Sequence, residues 1–379
     1  MTTLSTPSGR PRARALGLVL DGIPGPANAL TDVPGVQIGY TTLVEGEHVR
    51  TGVTALLPRG REGVGTPCAA GWYSLNGNGE MTGTTWIEET GALNGPVMVT
   101  NTHAVGPVHR GVVDWTAANR PDLARQWLLP VVAETWDGYL NDINGPHVRA
   151  EHAVAAIEAA AAGPVEEGCV GGGTGMNCYG FKGGSGTASR VVRYGSDEYT
   201  VGAFVQANFG DRRELVVGGV PVGRELRADN PMEDTDWFAP GGAGSVIVVV
   251  GTDAPLLPGQ CKALARRVPL GLGRTGTSGG HFSGDIFLAF STANAGALGS
   301  SFPQVDPVEA EYDTLRFVPW GQIDPFYEAV VQAVEEAVLN ALVTAEETVG
   351  RDGHRSPALP HQRLRELLSA RGALVQAED

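Results

Sequence analysis

Ala239-Pro240-Gly241-Gly242-Ala243-Gly244-Ser245-Val246-Ile247-Val248-Val249-Val250 joins two unlike textures without a transition. Residues with almost no side chain lead up to a hydroxyl, and from there the chain is apolar until Gly251. A β-rich run with no polar alternation suits a strand covered on both faces. Ile286-Phe287-Leu288-Ala289-Phe290 is a second run of this kind. Buried strands need a cover, and the rest of the chain supplies helices for it.

Shorter β-rich stretches stand between turn signals at Val97 to Thr100, Val131 to Ala133, Thr200 to Val205 and Leu215 to Val217. Helical spacing is legible over His109 to Ala117, and over Val148 to Ala162, which stops at Gly163-Pro164. It recurs over Leu256 to Val268, between Pro255 and Pro269, and over Arg363 to Ala370. The longest helical stretch runs from Asp324 to Thr348, with Pro325 suited to its first turn. Helices interleaved with buried strands predict layered α/β architecture, helices outside and sheets within. Asn230 to Gly244 reads as one long irregular loop, and no convincing domain boundary interrupts the 379 residues.

A net charge of -15 argues against a nucleic-acid partner and against an anionic membrane surface. No apolar run reaches the eighteen residues that a spanning helix needs. Arg10, Arg12 and Arg14 precede an apolar stretch too short for a secretory signal. The first seventeen or so residues therefore read as a ragged tail, and the cytoplasm as the expected location. Cys68, Cys169, Cys178 and Cys261 form no C-x-x-C and read as small, mostly buried thiols.

Several familiar motifs fail on context. Gly271-Leu272-Gly273-Arg274-Thr275-Gly276 matches G-x-G-x-x-G, but a helix precedes it where a dinucleotide site needs a strand. Gly171 to Gly175 lacks the lysine of a P-loop, and no G-x-S-x-G is present. The histidines, His103 and His281 among them, are scattered and read as structural; no metal or cofactor is expected.

The junction at Gly244-Ser245 admits two readings. One is a turn that feeds a strand. The other is self-cleavage, in which the Ser245 hydroxyl attacks the Gly244 carbonyl, an N→O acyl shift follows, and water opens the ester. Glycine leaves that carbonyl open to approach. The cut would free the Ser245 α-amino group, whose ordinary pKa near 8 lets it act as base for its own hydroxyl. One residue would then supply nucleophile and base.

Longer matches decide between the readings. They include Asn28 to Val36, Gly83-Thr-Thr-Trp-Ile-Glu-Glu89, Thr100-Asn-Thr-His103 and Glu134-Thr-Trp-Asp-Gly-Tyr-Leu-Asn-Asp-Ile-Asn-Gly145. Further matches are Gly173 to Arg190, Val205-Gln-Ala-Asn-Phe-Gly210, Gly244-Ser245 and Ser283 to Asn294. In this order they resemble the DmpA-type family of L-aminopeptidase/D-esterases and β-aminopeptidases, over roughly residues 25 to 360.

The resemblance implies a four-layer αββα sandwich like that of N-terminal nucleophile hydrolases, with different connectivity. It implies processing into residues 1–244 and 245–379, a homotetramer of the paired chains, and no metal. By position, Ser245 resembles the nucleophile, Ser283 and Asp285 a hydroxyl–carboxylate pair that hydrogen-bonds near it, and Asn208 the oxyanion-hole amide. Many relatives carry Glu where this chain has Asp285, which shortens its reach. Glu134 resembles the acid that captures a substrate's free amine, and Trp136 would wall the pocket. The expected function is removal of N-terminal aminoacyl groups from small peptides, amides or esters. Two alternatives stand beside it: an amidase or acyltransferase acting on pantetheine-like or oligoamide substrates, and an unprocessed, non-catalytic oligomer.

Overall fold

The computed structural model describes residues 4–231, 244–300 and 312–374. The loop expected over Asn230 to Gly244 thus lies outside the described residues from 232 to 243. Two sheets face each other. The first has the order β1 (Gln37–Glu45), β2 (Val49–Leu57), β5 (Val97–Asn101), β6 (Val131–Thr135). The second has the order β4 (Ala92–Leu93), β3 (Cys68–Ser74), β12 (Ser283–Ser291), β11 (Gly244–Thr252), β10 (Asp197–Asn208), β9 (Gly184–Tyr194). A hairpin of two short strands, β7 (Asn177–Cys178) and β8 (Phe181–Lys182), leads into β9.

Strand β11 shows how its sequence builds the layers. Val246 through Val250 are fully buried. Val246, Val248 and Val250 join a core with residues of α4 (Pro258–Ala265), α5 (Val268–Arg274) and α6 (Asp324–Thr344). Ile247 and Val249 point the other way, into a core shared with Val97, Val99, Val131 and Ala133 of the first sheet. Period-two alternation between two apolar environments is why the run carries no polar residue. The outer face of the first sheet, with Val53, Ala55, Met98 and Val132, is covered by α2 (Val105–Asn119) and α3 (Ala150–Glu158). Helix, sheet, sheet, helix: the expected αββα sandwich is the one observed. Two shorter helices, α1 (Thr84–Thr90) and α7 (His361–Ser369), lie outside this count.

β11 pairs antiparallel with β10 and parallel with β12. These registers set Ser245 between Asn208 and Gly284.

Some local expectations give way. The N-terminal segment is packed against the body rather than ragged. Arg12 is 2% exposed, its guanidinium held by Glu167 at 2.6 Å and by the carbonyls of Ala27, Asn28 and Thr187. Arg14 reaches Glu336 at 2.8 Å, and Glu336 also receives Arg190 and Asn28. The arginines are ligands for buried acids distant in sequence, so their apparent surface character misleads. Leu215 to Val217 forms no strand, because Gly218 and Gly219 adopt positive φ and fold Val217 back onto Val220. The helix expected over Leu256 to Val268 is the shorter α4, opened by Pro258, and a second helix, α5, starts only at Val268 with Pro269 in its first turn. The G-x-G-x-x-G stretch lies mostly in that second helix. α3 stops at Glu158 and α6 at Thr344, each short of its expected end; beyond α3, Ala161 pairs with Ile38 of β1.

Candidate active site

Ser245 begins the apolar part of β11 and is 2% exposed. Its Oγ accepts a hydrogen bond from the Trp136 backbone N–H at 3.3 Å. Trp136 follows β6 of the opposite sheet, so the nucleophile candidate sits where the two sheets meet. The preceding residue is confined: a Cβ on Gly244 would lie 2.4 Å from the Asn208 carbonyl oxygen and 2.9 Å from the Phe209 Cα. Only glycine lets the chain pass the end of β10 there.

Asn208 closes β10 opposite Ser245. Its Nδ2 donates to the Trp136 carbonyl at 2.9 Å, and its Oδ1 accepts from the Asn177 N–H at 2.9 Å. The Trp136 backbone thus links both groups, its N–H to Ser245 and its C=O to Asn208. The Trp136 side chain remains 36% exposed, consistent with a wall at the mouth of the site.

Ser283 and Asp285 do form a pair. The Ser283 hydroxyl donates to Asp285 Oδ1 at 2.5 Å, and both residues are 3% exposed. The pair does not reach Ser245: among the described residues no hydrogen bond joins them. In the β11–β12 register Ser283 lies beside Gly244 and Asp285 beside Val246, so they flank the Gly244–Ser245 peptide on alternate residues from Gly284. Burial raises the Asp285 pKa, while the bonds from Ser283 and Asn76 oppose that rise.

Asn76 is a site residue that the sequence did not reveal. It clasps Asp285 from both ends, its Nδ2 donating to Oδ2 at 2.8 Å and its Oδ1 accepting the Asp285 N–H at 2.7 Å. Its one signal was the Asn76-Gly77-Asn78-Gly79 run, a turn composition that follows β3.

Glu134 ends up at the same place from β6. It is 2% exposed and accepts bonds from the Glu80 N–H at 2.9 Å and from the Thr102 hydroxyl. A Cβ on Gly79 would sit 2.9 Å from the Gly284 Cα and 3.3 Å from Glu134 Oε1. The carboxylate therefore lies close to Gly284, the register partner of Ser245. Burial raises its pKa, with Thr102 and the Glu80 N–H acting against that. His103 also favours its charged form. Among the described residues, no group of three or more His, Cys, Asp and Glu side chains is placed to hold a metal ion.

The five other expected residues thus lie on β6, β10 and β12 or just beyond β6, and of them Trp136, through its backbone N–H, bonds the Ser245 hydroxyl. A separate cavity of about 400 Å³, walled by Trp86, Trp127 and Leu129, opens at Val131, the opposite end of β6 from Trp136. No described helix is long and apolar enough to cross a membrane.

The chain is similar to known proteins over nearly its whole length. The family model described as peptidase family S58 matches residues 28–356. The β-peptidyl aminopeptidase BapA of Sphingosinicella microcystinivorans is 50% identical over 384 residues, covering 97% of this chain and 94% of that protein. BapA of Sphingosinicella xenopeptidilytica is 42% identical, covering 95% of this chain and 92% of its own length. Among solved structures, the L-aminopeptidase D-Ala-esterase/amidase of Ochrobactrum anthropi superposes with a TM-score of 0.88 at 46% identity, over 97% of this chain and all of that one. It is described as a prototype for the serine aminopeptidases and a new variant among the Ntn hydrolase fold. A Burkholderia β-aminopeptidase superposes with a TM-score of 0.85 at 45% identity, over 95% of this chain and 98% of that one.

Proposed function

The chain belongs to peptidase family S58, and we propose that it removes N-terminal aminoacyl groups from peptides, amides or esters after cutting itself between Gly244 and Ser245. The observation that carries this reading is the placement of Ser245, buried at the head of β11 with Asn208, Trp136 and Glu134 converging on it.

In the first reaction, Ser245 Oγ attacks the Gly244 carbonyl carbon. The Gly244–Ser245 C–N bond breaks and a C–O bond replaces it. Water then hydrolyses the ester, leaving a Gly244 carboxylate and a free Ser245 amine. In turnover, that amine takes the hydroxyl proton as Oγ adds to the substrate carbonyl and passes it to the leaving amine as the C–N bond breaks; water, its proton taken by the same amine, then hydrolyses the acyl–Ser245 ester, releasing the carboxylic acid and restoring the hydroxyl. Asn208 Nδ2, freed from the Trp136 carbonyl, donates to the developing oxyanion; a donor of this kind contributes about 3 kcal/mol in other hydrolases. Ser283 and Asp285 steady the Ser245 ammonium through the adjoining backbone, since they do not touch its hydroxyl. Glu134 binds the substrate's own ammonium and so selects free N-termini. The cut chains stay together, and four such pairs form the assembly, which sedimentation velocity tests.

Mass spectrometry of the purified protein should find two chains, the smaller beginning at Ser245, and Ser245→Ala should leave one. Aminoacyl p-nitroanilides should be turned over, and their N-acetylated forms should not. A single intact chain that still cleaves these substrates would refute self-processing. Preference for the acetylated form would refute amine capture by Glu134 and favour the amidase alternative.

A further inference from the structure

Lys182, in β8, is fully buried, and its ammonium meets no carboxylate at hydrogen-bond distance among the described residues. Instead Nζ donates to three carbonyl oxygens, Gly173 at 3.3 Å, Met176 at 2.9 Å and Gly183 at 3.0 Å, and also meets the Cys169 thiol. A buried charge is costly unless its bonds are well made. Filling this volume would need only an apolar side chain, so the charge points to what it grips.

It grips the backbone that aims Asn208. Met176 immediately precedes Asn177, which pairs with Lys182 across the β7–β8 hairpin. The Met176 carbonyl also takes the Gly183 N–H at 2.8 Å, so one oxygen anchors both sides of the hairpin. The Asn177 N–H then donates to Asn208 Oδ1. With Oδ1 engaged, the amide can present only its NH₂ on the opposite side, to the carbonyl of Trp136, the residue whose N–H meets the Ser245 hydroxyl.

We propose that Lys182 is a positioning residue: by clamping Gly173, Met176 and Gly183 it fixes the Asn177 N–H, and through it the donor face of Asn208. This rests on the reading of Asn208 as the oxyanion donor. The titratable groups that face the ammonium are Cys169, Asp137 and Cys178.

The test is a double-mutant cycle on the processed enzyme, with kcat and KM for an aminoacyl p-nitroanilide. Asn208→Ala should lower kcat by about 100-fold. Lys182→Met should lower kcat at least tenfold with KM within threefold, while circular dichroism stays native. In the Asn208→Ala background, Lys182→Met should cost less than twofold, because its target is gone. An equal loss in both backgrounds, or unchanged kcat for Lys182→Met, overturns the proposal. If Asn208→Ala itself keeps full turnover, the oxyanion reading falls, and this proposal with it. Should Lys182→Met not fold, Lys182→Gln, which keeps donors but not the charge, takes its place. The Asn177 amide should then exchange at least tenfold faster than in the parent, and an unchanged rate at Asn177 would overturn the proposal.

Discussion

Replacing Asn76 by alanine should weaken the site in a way that depends on pH. Three bonds vanish: one to the buried Asp285 N–H, one to its carboxylate, and an exposed one to the Gly280 carbonyl that contributes little. A neutral hydrogen bond contributes about 1 kcal/mol net and one to a charged group about 2 kcal/mol, with the partners left buried and unsatisfied. The loss should be about 3 kcal/mol when Asp285 is ionised and about 2 kcal/mol when it is protonated, since the neutral carboxyl still accepts from Nδ2. The sign follows from linkage. The folded-state pKa of Asp285 is raised, so the stability linked to it is present at low pH and lost as pH rises through that pKa. Removing Asn76 takes away a bond that favours the charged form, so the loss deepens at high pH.

The assay is thermal unfolding of the uncut chain, in a Ser245→Ala background that keeps it in one piece. At about 2 °C per kcal/mol for a chain of this size, Tm should fall by about 6 °C at pH 8 and by less at pH 4.5. In the active enzyme, the acid limb of kcat should move to higher pH. An equal drop in Tm at both pH values, or an unmoved acid limb, would refute the role given to Asn76.

Gly244→Ala drives a Cβ into the backbone of Asn208 and Phe209. Relief of that overlap costs about 1–3 kcal/mol and shifts Ser245 from its register, so self-cleavage followed on gels should slow at least tenfold. Asp137 is buried and its pKa is pushed up to about 7 by desolvation, so the fold holds a proton that the unfolded chain releases above about pH 4. Stability tied to it falls as pH rises toward and through 7, and Asp137→Asn should raise Tm at pH 8 relative to pH 5. Glu336→Ala strands the buried Arg190 guanidinium along with Arg14 and Asn28. The urea midpoint should report a loss of about 3–5 kcal/mol.

Legibility in the sequence followed burial. β11 and β12 announce themselves because both faces are apolar. β9 does not: Gly184-Ser-Gly-Thr-Ala-Ser-Arg190 has little hydrophobic bulk, because α6 packs on it at close range, with a Cβ on Gly186 only 2.0 Å from the Ala337 carbonyl oxygen. Ser245, Asn208 and Ser283-Gly284-Asp285 lie at strand ends inside extended family matches, so position alone placed them. Asn76 stands 209 residues from Asp285, and Arg12 stands 155 from Glu167. No local pattern reports a partner at that separation, and arginines near a terminus look the same solvated or enclosed.

The order β4-β3-β12-β11-β10-β9 places two strands from after residue 244 between four from before it. Expressed alone, the 245–379 piece would show two apolar strands with both outer edges bare, a template for aggregation. The sequence of events is thereby constrained. Under the proposed cut, the polypeptide has to fold as one molecule first, so that scission removes a tether from a sheet whose ladders are already closed. Splitting the gene at this point would separate covalent economy from assembly: the halves would have to meet while nascent, with the larger one supplying the slot between β3 and β10.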